Sequence, residues 1–119
     1  MVKVIQIKRA YADPESGDGW RVLVDKFWPR GISKEDAQID DWLKDIAPSD
    51  ELRKDFHESE GFSSFKSRYR EQLQADKRQE ACRKILEKVE EGNVTLIYSS
   101  KNEKENNAVV LKEYLEERQ

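Results

Sequence analysis

Hydrophobic positions follow two rhythms along this chain. Around Val22-Leu23-Val24, within the stretch Trp20 to Trp28, and again from Val94 to Tyr98, they are nearly continuous, the pattern of strands buried on both faces. Elsewhere they recur every third or fourth residue. Phe62, Phe65, Tyr69 and Leu73 form one such stripe, with Lys66, Arg68, Arg70 and Glu71 on the other face. Cys82, Ile85, Leu86 and Val89 form a second, and Ala108, Leu111 and Leu115 a third. Each stripe predicts an amphipathic helix. Ile39 to Ala47 is ambiguous: Ile39, Trp42, Leu43 and Ile46 fit helical spacing while Asp40, Asp41 and Asp45 keep the opposite face polar.

Punctuation refines these elements. Val2 to Ile7 is rich in β-branched residues and reads as a strand, followed by a loop in which Pro14, Gly17 and Gly19 break any regular structure. Pro29 and Gly31 end the Trp20 to Trp28 strand. Ser33, with Asp36 three positions on, starts a short turn of helix. Pro48 stops the Ile39 stretch, and Ser49 then caps a helix running to about Glu58, with Asp50 and Glu51 in its first turn. Asp76 reads as the cap of the Cys82 helix, with Gln79 in the box position, and Gly92-Asn93 ends that helix.

Two doubly buried strands separated by helices are predicted to be adjacent and parallel at the centre of a sheet. The direction of the first strand stays open; with only a short loop and no helix before Trp20, an antiparallel pairing as a wide hairpin is favoured over a parallel one. The fold expected is α/β: a single small domain over residues 1–119, with a short, mostly parallel sheet and helices packed on it. Composition agrees, since 36% hydrophobic residues against 39% charged leaves a modest core that 3 Trp, 4 Tyr and 4 Phe must fill with large apolar area.

Charge narrows the partners. With 22 basic and 25 acidic side chains the net charge is −3, which argues against a nucleic-acid or membrane-surface binder. Residues 31–60 carry a local balance of −6 and residues 61–91 one of +2, the mark of solvated helix faces. The longest apolar runs are far shorter than the roughly 20 residues that span a bilayer. A single Cys cannot form an internal disulfide and no signal-like segment opens the chain, so a cytoplasmic location is expected.

The candidate chemistry lies at the two strand exits, Asp25 to Gly31 and Tyr98 to Asn107. Parallel neighbours open both exits at one carboxyl edge, where open α/β sheets place ligands. Lys26, Arg30 and Lys101 would converge there, Trp28 would supply an apolar wall, and Ser99, Ser100, Asn102 and Asn106 would stand beside the start of the last helix. The expected guest is a small anionic molecule, a phosphate or a carboxylate. Two readings stay open: Arg30 and Lys101 clamp that anion, or Arg30 bridges to Asp40 or Asp41 and Lys101 is a solvated loop cation. The corresponding alternative function is a non-catalytic protein–protein interaction module, using Trp28 and the acidic 31–60 segment.

The sequence resembles the YeaO-like family of small bacterial proteins over nearly its whole length. The marks are Arg21-Val-Leu-Val-Asp-Lys-Phe-Trp-Pro-Arg-Gly-Ile32, Trp42-Leu-Lys-Asp-Ile-Ala-Pro-Ser49 with Glu51-Leu-Arg-Lys54, Phe65 with Arg68-Tyr-Arg70, and Val94-Thr-Leu-Ile-Tyr98 leading to Asn106 and Ala108-Val-Val-Leu111. The resemblance implies an α/β fold and a site around Trp28, Arg30 and the 99–107 loop, and it implies no reaction. Two departures stand out: Glu105-Asn106-Asn107 where the family often has His-Asn-His, and Ser99-Ser100 where longer relatives carry a Cys-Glu pair with a downstream Cys-His-Arg.

Other residues point to structure more than chemistry. His57, the only histidine, reads as a favourable charge at a helix end. Cys82 on an apolar stripe reads as buried and inert, and Tyr69 between two arginines reads as core packing more readily than as a base-stacking platform. One His and one Cys do not build a structural zinc site, and Asp40 and Asp41 diverge on a helix, so no metal is expected. Gly17-Asp-Gly19 lacks the third glycine of a dinucleotide fingerprint, and no Walker or Gly-x-Ser-x-Gly pattern occurs, so no cofactor is expected.

Overall fold

The computed structural model describes residues 3–59 and 61–119; Val2, read above as part of the first strand, lies outside them. Strands β1 (Ile5–Arg9), β2 (Trp20–Leu23), β3 (Asp41–Trp42) and β4 (Val94–Tyr98) form one sheet in the order β1-β4-β2-β3, with every adjacent pair parallel. The helices among the described residues are α1 (Lys34–Ala37), α2 (Asp50–Glu58), α3 (Phe62–Gln72), α4 (Asp76–Glu91) and α5 (Asn107–Glu116). This is the expected α/β fold, and its two apolar runs are central neighbours, Val22 opposite Leu96 and Leu23 opposite Ile97.

Alternation along the strands sorts the side chains between two faces. Ile5, Val22, Val24, Val94, Leu96 and Tyr98 join the main core beneath α2 to α5, with Phe65, Tyr69, Leu73, Cys82, Ile85, Val89, Leu111 and Leu115. Tyr69 is wholly buried there, its hydroxyl donating to the Ile46 carbonyl at 2.6 Å, and burial pushes its ionisation up. Leu23 and Ile97 face the other way into a smaller cluster with Ala10, Trp28, Ile32, Ile39 and Trp42.

Beside that cluster the second face is polar, and this explains why β1 makes no hairpin. β1 pairs parallel to β4, Ile5 opposite Val94 and Ile7 opposite Leu96. The chain must therefore return across the sheet before starting β2. It does so without an α-helix because Gln6, Lys8 and Thr95 hold the returning loop: Gln6 Nε2 donates to the Gly17 carbonyl at 3.2 Å, Thr95 Oγ1 to that of Asp18 at 2.7 Å, and Lys8 Nζ to that of Asp13 at 3.2 Å. Gly19, at φ +66°, ends the crossing where a Cβ would lie 2.1 Å from the Asn93 carbonyl oxygen, so only glycine fits.

Three other expectations are corrected. β2 ends at Leu23 rather than continuing to Trp28; the Val24 N–H still reaches Ile97 at 3.0 Å, but then Asp25 turns its carboxylate onto Ser99 and the ladder stops. Ile39 to Ala47 is not a helix. The open edge of β2 captures it, with Asp40 N–H donating to Arg21 at 2.8 Å and Leu43 N–H to Leu23 at 3.0 Å, leaving only a 3-10 turn at Lys44–Ile46. Trp42 packs edge-on to Trp28 at 5.6 Å, so tertiary pairing overrides the helical spacing. The cap of α4 is Ala75, not Asp76, and Gln79 instead donates to the Leu73 carbonyl and to Tyr114 Oη at 2.7 and 2.8 Å.

Asp18, 5% exposed, is the pivot of the polar face, accepting from Arg21 Nη1 at 2.6 Å, Lys8 Nζ at 2.8 Å and the Glu15 N–H at 3.0 Å. Burial alone would raise its carboxyl, but these partners outweigh burial and hold it below the ordinary 3.8. Asp18→Ala removes the carboxylate partner of buried Arg21 and one of the two carboxylate partners of Lys8, and denaturant titration at neutral pH should show a loss of about 3 kcal/mol. Because the folded value is depressed, this contribution is complete above the ordinary carboxylate range and fades as pH falls through the lower folded value. The gap between wild type and variant should therefore shrink in acid. Cys82 is buried and its thiol is pushed up to about 11 by burial. A thiol reagent should label it slowly in the native protein and rapidly after unfolding.

Candidate functional site

Since all four strands run the same way, their carboxyl ends share one edge, and a cleft of about 720 Å³ opens there. Every strand exit contributes: Tyr11 after β1, Asp25 to Arg30 after β2, Ala47 and Pro48 after β3, and parts of the 99–107 loop after β4. Arg53, Phe56 and His57 of α2 and Phe65 of α3 close the remaining side, with Phe56 stacked on Phe65 at 4.3 Å.

The structure brings together all eight residues singled out from the sequence: Lys26, Trp28, Arg30, Ser99, Ser100, Lys101, Asn102 and Asn106 all line the cleft. Most already have partners. Lys26 Nζ is bonded to both Asp50 oxygens, at 2.7 and 2.8 Å. Trp28 Nε1 donates to the Ile32 carbonyl at 2.7 Å. Ser99 gives its N–H and its hydroxyl to Asp25, at 2.9 and 2.8 Å. Asn106 caps α5 by accepting from the Val109 N–H at 2.9 Å and donates to the Asn102 carbonyl at 2.8 Å. Asn102 Oδ1 accepts the Lys104 and Glu105 N–H groups, and Ser100 Oγ accepts the Asn102 N–H, so this loop is folded upon itself.

Arg30 and Lys101 differ from the rest. Both are exposed, and among the described residues neither guanidinium nor ammonium has a hydrogen-bond or ion-pair partner. The bridge from Arg30 to Asp40 or Asp41 is not made. Asp40 accepts the Arg21 N–H at 2.8 Å, while Asp41 pairs with Lys84 at 2.6 Å, and that ammonium leads in holding its carboxyl below the usual range. The Arg30 backbone is fixed all the same: Pro29 before it is buried, and its carbonyl accepts the Tyr11 hydroxyl at 2.9 Å.

The cleft also holds residues that the sequence did not single out, Tyr11, Asp25, Phe27, Arg53 and His57 among them. Tyr11 belongs to the cleft only because β1 is parallel, which the sequence did not indicate. Asp25 joins the exits, its Oδ2 taking Ser99 and its Oδ1 the Asn107 Nδ2 at 3.0 Å; a carboxylate at a strand end beside a serine-rich second exit was the available signal. Arg53 shares Asp50 with Lys26, and the two cations hold that carboxyl below its ordinary range. Phe27 is an exposed side chain in a strand-exit motif. His57 occupies the last turn of α2, as expected, and also faces the cleft. Among the described residues no three His, Cys, Asp or Glu side chains gather in a way that would hold a metal ion.

Fold and site together define a parallel α/β protein with a ligand-sized cleft at the carboxyl edge of its sheet. The chain belongs to the family whose model is described as the inactive DUF488-N3 subclade, which matches residues 4–119. It is similar to the uncharacterized protein YeaO of Escherichia coli K12, 45% identical over 112 residues that cover 93% of this chain and 96% of that one. This bears out the YeaO-like resemblance. Uncharacterized proteins of Mycobacterium tuberculosis and Mycobacterium bovis are 49% identical over 70 residues, 58% of this chain and 59% of theirs. No solved structure matches the chain.

The Asp25 junction generates a prediction independent of any ligand. Asp25→Ala removes the acceptor of two Ser99 donors and of Asn107, and should cost about 2 kcal/mol in a denaturant titration. Hydrogen exchange at the Ser99 amide should accelerate more than exchange in β1.

Proposed function

We propose that this protein binds a small anionic molecule, a phosphate or carboxylate, in the cleft at the carboxyl edge of the sheet. The observation that carries the proposal is a pair of cations without partners among the described residues, Arg30 and Lys101, lining one concave surface on a protein whose net charge is negative. Lys26 and Arg53 share the single carboxylate of Asp50, so the trio keeps one net positive charge that reinforces the local field, while both cations are already bonded. Arg30 presents a planar fork from a backbone fixed by Pro29 and Tyr11, whereas Lys101 offers a point charge from a loop. Trp28 forms part of the wall, braced on Trp42.

The description of the family as inactive fits binding without turnover, and Cys82, the chain's only thiol, packs in the core rather than in the cleft. A protein-interaction module built on Trp28 is less well supported, because that indole is packed and its N–H already bonded. No helix among the described residues is long and apolar enough to cross a membrane. We place the protein in the cytoplasm, a setting that a lone unpaired cysteine suits.

Thermal denaturation against a panel of phosphorylated and carboxylated compounds tests this reading. A true ligand at 100 times its dissociation constant adds about 2.7 kcal/mol and raises the melting temperature by several degrees. Arg30→Ala should lose more of that shift than Lys101→Ala, since a charge-assisted bidentate contact outweighs a partly screened point charge, and both variants should fold as stably as wild type. A wild type stabilised by no anion, with Arg30→Ala itself unstable, would overturn the proposal in favour of the interaction module.

A further inference from the structure

The cleft offers more than charge. Phe27 is 62% exposed, more than any other large hydrophobic side chain among the described residues, and it lines the same cleft as Arg30 and Lys101. Its position is imposed by its neighbours. Two residues before it Asp25 is tied to Ser99 and Asn107; after it Trp28 is packed on Trp42 and Pro29 is buried. The chain between these anchors has little freedom to fold the ring inward.

The ring is also held by cations. The Arg53 guanidinium lies 5.0 Å from its centroid and the Lys26 ammonium 5.7 Å, both over the face. Both cations are bonded to the same Asp50 carboxylate, which limits their freedom around the ring. Most of the phenyl ring nonetheless stays exposed. An exposed ring braced by cations is a platform on which a flat ring stacks without reorganisation.

We propose, building on the anion-binding reading above, that the ligand is a planar aromatic compound carrying an anionic group: its ring stacks on the exposed ring of Phe27 and its anion meets Arg30 and Lys101. The cavity of about 720 Å³ suits a molecule of that size and is far larger than an inorganic anion needs. Nucleotides and aromatic carboxylic acids share this chemistry.

Calorimetric titration of the full chain with four probes distinguishes the cases: inorganic phosphate, ribose 5-phosphate, adenosine monophosphate and phenylpyruvate. At least one aromatic anion should bind about tenfold tighter than its non-aromatic counterpart, the scale of one stacked ring; adenosine monophosphate or phenylpyruvate as the tighter probe identifies which source is meant. Phe27→Ala should abolish that advantage while leaving phosphate binding unchanged, and Phe27→Trp should preserve it. Equal affinity for ribose 5-phosphate and adenosine monophosphate, with phenylpyruvate no tighter than phosphate, would overturn the aromatic inference and leave the anion site standing. Failure of all four probes to bind would overturn both. Because Phe27 is exposed, its variants keep the fold, and unchanged melting temperatures would verify this.

Discussion

The position of β4 governs everything else in this molecule. It is bonded on both sides, to β1 and to β2, all five of its residues are buried, and both partners run parallel to it. A parallel strand so placed forces each exit onto the same edge, and the cleft exists because those exits cannot close over one another. Asp25 then converts proximity into structure, joining the exit of β2 to that of β4 and to the first turn of α5.

The central pair was legible in the sequence because near-continuous apolar runs have few homes other than the middle of a sheet, and Val94–Tyr98 is the strand as read. α2 and α3 were legible through the Ser49 cap and the phenylalanine stripe. β1 was not, because its direction depends on how a loop is satisfied: nothing local says that Gln6, Lys8 and Thr95 will hold a crossing chain. Nor was β3, where two residues obey an open strand edge and a tryptophan partner against their own spacing. The eight candidate site residues converge on one cleft because the exits of parallel strands share an edge. Their hydrogen-bond partners are not legible in the sequence, and those partners separate Arg30 and Lys101 from six residues that serve the architecture.

Asp50 has a role that its exposure conceals. It holds Lys26 and Arg53 together with one carboxylate, so two side chains that line the cleft are fixed in place while the trio keeps one net positive charge.

The register between β1 and β4 also sets a timetable. Ile5 to Arg9 pair only with Val94 to Tyr98, a separation of 89 residues between partners. During synthesis the first strand emerges long before its only hydrogen-bonding neighbour exists, and β2 waits for the same neighbour on its inner edge. At ribosomal rates of about 5–20 residues per second that interval lasts for seconds. Until then the apolar residues of β2 have only the two residues of β3 to pair with, and the strand on which both β1 and β2 depend is the last of the four to be made.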